Sequence, residues 1–195
     1  MNARVPTAGR LPWIERLLAP GADAALTAWM RAFLAAGSPP RTVLDVGVGT
    51  RSLAMTAGYT AIGVDLALPR TRAFDATGAR GVVGNAVALP FADAAFDVVI
   101  STGLLHHLAD GDARTAVREM VRVAGPTGRV AILDAVWPEP GWRRPLAWAV
   151  RRADRGGFVR SAGELAALLP DPARWRRERV TYAWTGLEGV WCTRP

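Results

Sequence analysis

Short apolar runs and helical repeats take turns along this chain, and their order predicts its architecture. Leu26, Trp29, Met30, Phe33 and Leu34 recur at the spacing of one helix face and predict a helix over 22–36. Pro12 suits the first turn of a preceding helix over 12–19, and Gly37-Ser-Pro-Pro40 stops the second. Beyond it, strands are expected at 42–46, 60–64, 80–83, 97–101 and 129–134. Helices are expected between them, at about 51–57, after Pro69 and at 112–123. Strands alternating with helices of about ten residues give a mostly parallel, doubly wound α/β sheet. Val98-Val99-Ile100 and Val130-Ala131-Ile132-Leu133 are apolar throughout, which fits central strands buried on both faces.

After Asp134 the alternation stops. Trp137-Pro-Glu-Pro-Gly141 breaks the chain, and Trp142 to Ala153 reads as a basic, tryptophan-bearing helix. Ser161-Ala-Gly-Glu164 reads as a capping box opening a helix over 162–169. A turn near Gly186 to Gly189 then separates Arg179 to Trp184 from Val190 to Thr193, a terminal hairpin. No internal repeat or low-complexity segment divides the chain, and 195 residues suffice for one domain with its own core. Within it, residues 1–40 are expected to be N-terminal helices, 41–136 the core, and 137–195 a basic, tryptophan-rich end.

Half of the residues are hydrophobic, yet no apolar run approaches the ~20 residues that span a bilayer. The first residues lack the apolar stretch of a secretory signal. The single cysteine, Cys192, leaves no internal disulfide and no cysteine-based metal site. Together these predict a cytoplasmic protein. The formal net charge is +7, and all 24 basic residues are arginine. Residues 1–139 hold 13 Arg against 12 acids, whereas residues 140–195 hold 11 Arg against 5. A negatively charged partner would therefore be met by the end of the chain.

The stretch richest in chemistry is Val43-Leu-Asp-Val-Gly-Val-Gly-Thr-Arg51, with Asp65 closing the next apolar run twenty positions after Asp45. Gly47 and Gly49 let the backbone pass close to a ligand, and the amides of the helix that follows would face its negative end. An acid at the tip of the next strand can accept from both hydroxyls of a ribose. A Gly-x-Gly turn is also an ordinary strand-to-helix connection, so the segments that follow decide the matter. They are Gly84-Asn-Ala-Val-Ala-Leu-Pro-Phe91, Ala95-Phe-Asp-Val-Val-Ile100, Leu104-Leu-His-His-Leu108, Arg118-Glu-Met-Val-Arg-Val123 and Gly125-Pro-Thr-Gly-Arg-Val-Ala-Ile-Leu-Asp134. In this order and spacing, residues 41–136 resemble the class I S-adenosylmethionine-dependent methyltransferases. The resemblance is to the broad branch that includes small-molecule and quinone methyltransferases.

The resemblance implies a Rossmann-like sheet that ends with an antiparallel strand, for which the terminal hairpin is the place. It implies S-adenosylmethionine as cofactor and S-adenosylhomocysteine as product. Asp45 would then lie near the methionine amino group, with Gly47, Gly49 and Thr50 beneath the cofactor. Asp65 and Leu66 would meet the ribose, and Asn85, Ala86 and Val87 the adenine. Ser101 and Thr102 would line the cofactor through their backbone. Asn85 stands where relatives usually carry Asp, and its carbonyl can still accept from the adenine amine. Arg51 stands where a third glycine is usual, in the expected first turn of the helix; it pairs with the methionine carboxylate, points outward, or marks a pocket that has decayed. A dinucleotide would instead need glycine at residue 52, where this chain has Ser.

Methyl transfer requires an acceptor in line with the sulfonium methyl, and a base if the acceptor is a hydroxyl or an acidic carbon. His106 and His107 follow the fourth strand at that rim. Either is a candidate catalytic base, or the pair caps and packs the next helix. Asp110 and Asp112 read as acids starting a helix, so no metal is expected. Trp137, Trp142 and Trp148 with Arg143, Arg144, Arg151 and Arg152 make one of two things. They form a site for an acidic, lipophilic acceptor, with peripheral membrane contact included, or a helix packed on the sheet with a solvated arginine face. Ser101-Thr-Gly-Leu occupies the place of the Asx-Pro-Pro-aromatic tetrad of base-amino methyltransferases, which argues against nucleic acid. The expectation is a methyltransferase for a small organic acceptor, acting on oxygen, nitrogen or carbon. Its rivals are a cofactor-binding protein with lost or altered transfer chemistry, and a membrane-surface or scaffold protein working through its basic last quarter.

Overall fold

A computed structural model describes residues 22–139, 144–153, 156–181 and 188–195. The helix expected at 12–19 lies outside these residues, as do Trp142, Arg143 and Trp184. α1 (Ala22–Ala35) leads into β1 (Val43–Val46), the single turn α2 (Leu53–Thr56), β2 (Ile62–Asp65), α3 (Leu68–Asp75), β3 (Arg80–Val83) and β4 (Val98–Thr102). A 3-10 turn over Leu105–His107 precedes α4 (Asp110–Ala124), β5 (Arg129–Val136), α5 (Arg144–Ala153) and α6 (Ala162–Ala166). A second 3-10 turn (Pro172–Arg174) then introduces β6 (Arg176–Thr181) and β7 (Glu188–Arg194). The sheet order is β3-β2-β1-β4-β5-β7-β6, parallel from β3 to β5, with β7 antiparallel to both β5 and β6.

The strand residues divide alternately between two cores, as a period of two requires. Leu44, Val46, Val99, Val130 and Ile132 face α4, whose Ala113, Ala116, Val117, Met120 and Val123 recur every three or four residues on its buried side. Val43, Val98, Ile100, Ala131 and Leu133 face the opposite way, onto Met30 and Leu34 of α1 and Ala54 of α2. Trp191 of β7 closes this second core and stacks on Trp29, ring centroids 3.6 Å apart. No described helix is long and apolar enough to cross a membrane.

The expected strands appear within two residues of their predicted bounds, and three elements differ. α2 is one turn rather than seven residues: Ser52 is its extended N-cap, which leaves Arg51 outside the helix. An anion site built on the amides of that helix is therefore set aside, because one turn has little dipole. α6 keeps the predicted capping box, Ser161 accepting from the Glu164 amide, but ends at Ala166 rather than 169. In the hairpin β6 starts three residues earlier than predicted, residues 182–184 lie outside the described residues, and β7 is longer, because it pairs with β5 from Val130↔Arg194 to Val136↔Glu188.

The order 3-2-1-4-5 reverses direction between β1 and β4. A doubly wound sheet opens a crevice at such a point, beyond the carboxyl ends of the strands. The base of the sheet beneath it is tightly built. A Cβ at Gly128 would overlap the Ala124 carbonyl and lie 2.9 Å from that of Phe96. Gly128→Ala is expected to destabilise the protein by roughly 1–3 kcal/mol, read as a lower urea midpoint with unchanged slope.

Candidate cofactor and acceptor site

At the tip of β1, Asp45 is fully buried, and neither of its carboxylate oxygens has a hydrogen-bond partner. Burial pushes its pKa from 3.8 to about 7. Ser52 stands close enough to oppose this shift, yet its own buried hydroxyl makes no hydrogen bond of ordinary geometry. The turn beyond uses positive φ at Gly47 (75°) and Gly49 (61°), which glycine adopts without strain. Gly47 N–H donates to the Val64 carbonyl at 2.8 Å, and open space lies where a Cβ of Gly49 would stand. Thr50 and Arg51 are exposed beside it.

Asp65, at the tip of β2, is nearly buried and holds the two neighbouring turns together. Its Oδ2 accepts from Gly49 N–H at 3.1 Å and its Oδ1 from Ala67 N–H at 2.9 Å. Arg70 lies 3.7 Å away. Leu66, which follows, is 59% exposed despite its apolar side chain. After β3, Asn85 Oδ1 accepts from Val87 N–H at 3.1 Å, and a bridge joins Asn85 to Ala88. Ala86 and Val87 are half-buried against the α4-side core. The Asn85 carbonyl thus has part of its accepting capacity taken by its own loop.

Ser101, near the tip of β4, donates its hydroxyl to the Val46 carbonyl at 2.9 Å. Thr102 is half-buried at the end of the strand. The two histidines then part company. His107 is exposed, whereas His106 is buried, with Nδ1 2.6 Å from Asp134 Oδ1. Asp134 also accepts from the Leu105 amide (2.5 Å), the His106 amide (3.3 Å) and the Ala135 amide (2.7 Å). Sequence reasoning assigned Asp134 no role. Its only signal was an apolar run, Val130 to Leu133, ending on an acid at a strand tip.

The segment after α5 lies over this turn. Phe158 N–H donates to the His106 carbonyl, and buried Arg160 donates to the carbonyls of Leu105 and Leu108 and to Asp110. Asp110 and Asp112 occupy the first turn of α4 as expected, and Asp110 is the ion-pair partner of Arg160. Among the described residues no group of three His, Cys, Asp or Glu side chains is placed to hold a metal ion. Trp137 donates its indole N–H to the Val159 carbonyl and stacks on Trp148 at 4.5 Å. Cys192 is buried in the α4-side core, and desolvation pushes its thiol up to about 12, so it is not a nucleophile.

The tips of β1, β2, β3 and β4 thus bring Asp45, Gly47, Gly49, Asp65, Leu66, Asn85 and Thr102 to one rim, at the point where the sheet reverses direction. Residues 44–132 match a family described as methyltransferase domain. The probable tRNA methyltransferase 9B of Bos taurus is 33% identical over 114 residues, 56% of this chain and 25% of that protein. The demethylmenaquinone methyltransferase of Roseiflexus castenholzii is 37% identical over 129 residues, 60% of this chain and 52% of that protein. The chain therefore spans only a quarter to about half of the length of these relatives. Geranyl diphosphate C-methyltransferase from Streptomyces coelicolor was solved with Mg2+, geranyl diphosphate and S-adenosylhomocysteine. It superposes with a TM-score of 0.68 at 14% identity, covering 88% of this chain and 76% of that one, a likeness of fold. The matched segment runs from β1 into β5, the strands whose tips carry the rim, and over residues 44–132 the chain is a methyltransferase domain of the S-adenosylmethionine-dependent kind.

Proposed function

We propose that this chain transfers a methyl group from S-adenosylmethionine to a small organic acceptor. The observation that carries the reading is Asp45, a carboxylate sealed at the tip of β1 with both oxygens unpaired. A buried acid without a donor is costly, and the ammonium of the methionine moiety is a donor of the right charge. Asp65 fits the ribose. The Gly49 and Ala67 amides fix its orientation, and each of its oxygens keeps a lone pair for a hydroxyl. Exposed Leu66 offers an apolar wall to the adenine, and Asn85, Ala86 and Val87 its edge. Gly47, Gly49, Thr50, Ser101 and Thr102 contribute backbone. When bound, the cofactor supplies an electrophilic methyl, and the chain orients it and excludes water.

Two observations favour a small, lipophilic acceptor over nucleic acid. First, three arginines of the last quarter are turned inward, although Arg152, Arg174, Arg176 and Arg177 stay exposed. Arg151 donates to the carbonyls of Val136 and Glu188, Arg160 to Leu105 and Leu108, and Arg194 to Gly125, so these charges are not available to phosphates. Second, Trp148 and Phe158 are each 46% exposed on the segments beyond β5, an apolar surface suited to a planar or greasy substrate. The same surface is what a peripheral membrane contact would use.

Calorimetry is expected to show S-adenosylmethionine and S-adenosylhomocysteine binding, with NADH inert. Asp65→Ala should weaken binding at least tenfold, about 1.4 kcal/mol, and unchanged affinity would overturn the ribose assignment. Asp45 adds a test through pH. Its folded pKa lies above the unfolded value, so between about pH 4 and 7 the folded protein holds a proton that the unfolded chain has released. Its contribution to stability is full below about pH 4 and lost as pH rises through about 7. Asp45→Asn should therefore raise the melting temperature of the ligand-free protein at about pH 8, by an effect on the order of 1–4 kcal/mol. The same variant should bind S-adenosylmethionine more weakly. In the natural protein, binding at about pH 6 should release a proton, seen as an enthalpy that depends on the buffer. A buffer-independent enthalpy would mean that Asp45 does not meet the ammonium.

A further inference from the structure

α1 lies over β1, β4 and β5, and its Trp29 stacks on Trp191 of β7. Further out, β6 forms the edge of the sheet. Beside the stacked pair lies a cavity of about 540 Å3, lined among the described residues by Trp29, Trp191, Thr193, Arg176, Arg177 and Glu178. The strand register explains this lining. Trp191 faces the α1 side, and Thr193, two residues on, shares that face. Arg176 pairs with Thr193 and Glu178 with Trp191, so both belong to the same face. A cation and an acid thus stand beside the indoles, their Cα atoms roughly 7 Å apart along the strand. Arg176, Arg177 and Glu178 are exposed, and none of their side chains makes a hydrogen bond or ion pair among the described residues. Arg179 of the same strand, by contrast, is held by Glu139 and Glu188. The cavity lies apart from the cofactor rim, because β5 stands between β7 and the tips of β1 to β4.

We propose that this cavity is a second small-molecule site, for a planar aromatic monocarboxylate that carries a hydroxyl or amine at its far end. Its volume suits a ligand of one or two rings. The two indoles supply apolar contact to a planar ring. A guanidinium takes a carboxylate through two parallel N–H donors, and two arginines against one acid leave a net positive charge. Glu178 narrows the class further. On the same face as Arg176 it opposes a dianion such as a phosphate monoester, and it accepts from a donor at the other end of the ligand. A ring system with its two polar groups at opposite ends spans a distance of the same order as that from Arg176 to Glu178. Exposed charges alone bind weakly, so the ring contact and the ion pair must act together.

Calorimetry on the full chain tests this with 6-hydroxy-2-naphthoate, with and without saturating S-adenosylhomocysteine. Binding is expected in both cases. Arg176→Gln should weaken it about tenfold, the scale of one charge-assisted contact to a carboxylate. Arg72→Gln, which removes an exposed arginine of α3, controls for general charge and should change it by less than about twofold. The uncharged 6-hydroxy-2-naphthamide should bind more weakly. So should 6-methoxy-2-naphthoate, which has no donor, and Glu178→Gln should leave the affinity of that compound no lower. In 1H–15N spectra the indole N–H signal of Trp29, assigned with Trp29→Phe, should move as the naphthoate binds. No binding, or equal affinity in Arg176→Gln, would overturn the site. Loss of binding when S-adenosylhomocysteine is present would place the naphthoate in the cofactor crevice and overturn it as well. Arg176 and Glu178 lie off the cofactor rim, so both variants should bind S-adenosylhomocysteine normally. Its failure to bind the natural protein would refute the methyltransferase reading alone.

Discussion

Leu104 packs its side chain into the space that a Cβ at residue 47 would fill, as close as 2.9 Å, so the turns after β1 and β4 meet only because Gly47 has no side chain. The rim of the sheet depends on this contact. From the β1 side, the glycine turn is tied to β2 through the Val64 carbonyl and the Asp65 carboxylate. From the β4 side, the 3-10 turn is tied to β5 through Asp134, and to the segment after α5 through Arg160. Four strand tips and one late segment are thereby held in register by one backbone hydrogen bond and a few made by the Asp65, Asp134 and Arg160 side chains.

Three aspartates sit on three strand tips, and their surroundings give each a different chemistry. Asp65 is surrounded by amides and by Arg70, so it stays a rigid acceptor. Asp134 divides its oxygens between main-chain amides and the His106 ring. Among the described residues Asp45 has no hydrogen-bond donor of ordinary geometry, only Ser52 nearby, and burial keeps its proton to about pH 7. Environment, rather than residue type, separates the roles.

The arginines show the same dependence on context. Arg129 caps the end of α1 through the carbonyls of Phe33, Leu34 and Ala36, and desolvation lowers its pKa without removing its charge. Arg151 and Arg160 serve the ends of later elements in the same way. A guanidinium has five donors in a fixed fork, which suits clusters of orphan carbonyls in a way that a lysine ammonium does not. A chain with 24 arginines can therefore be strongly basic in composition and still turn some of that charge inward.

The sequence by itself determined the alternation of strands and helices, the glycine turn, and the acid at the end of β2. These are local properties: side-chain periodicity sets which face is buried, and positive φ demands glycine wherever it falls. It also fixed the capping box at Ser161, whose two partners are three residues apart. Tertiary structure decided what depends on residues distant in the chain. Nothing local distinguishes His106 from His107; they diverge because Asp134, 28 residues later, arrives at the tip of the neighbouring strand. The short reach of α2, with Ser52 as its N-cap and Arg51 outside it, was not legible in the local pattern either. The inward arginines likewise could not be read from composition, because burial of a charge is decided by which carbonyls the folded chain brings to it.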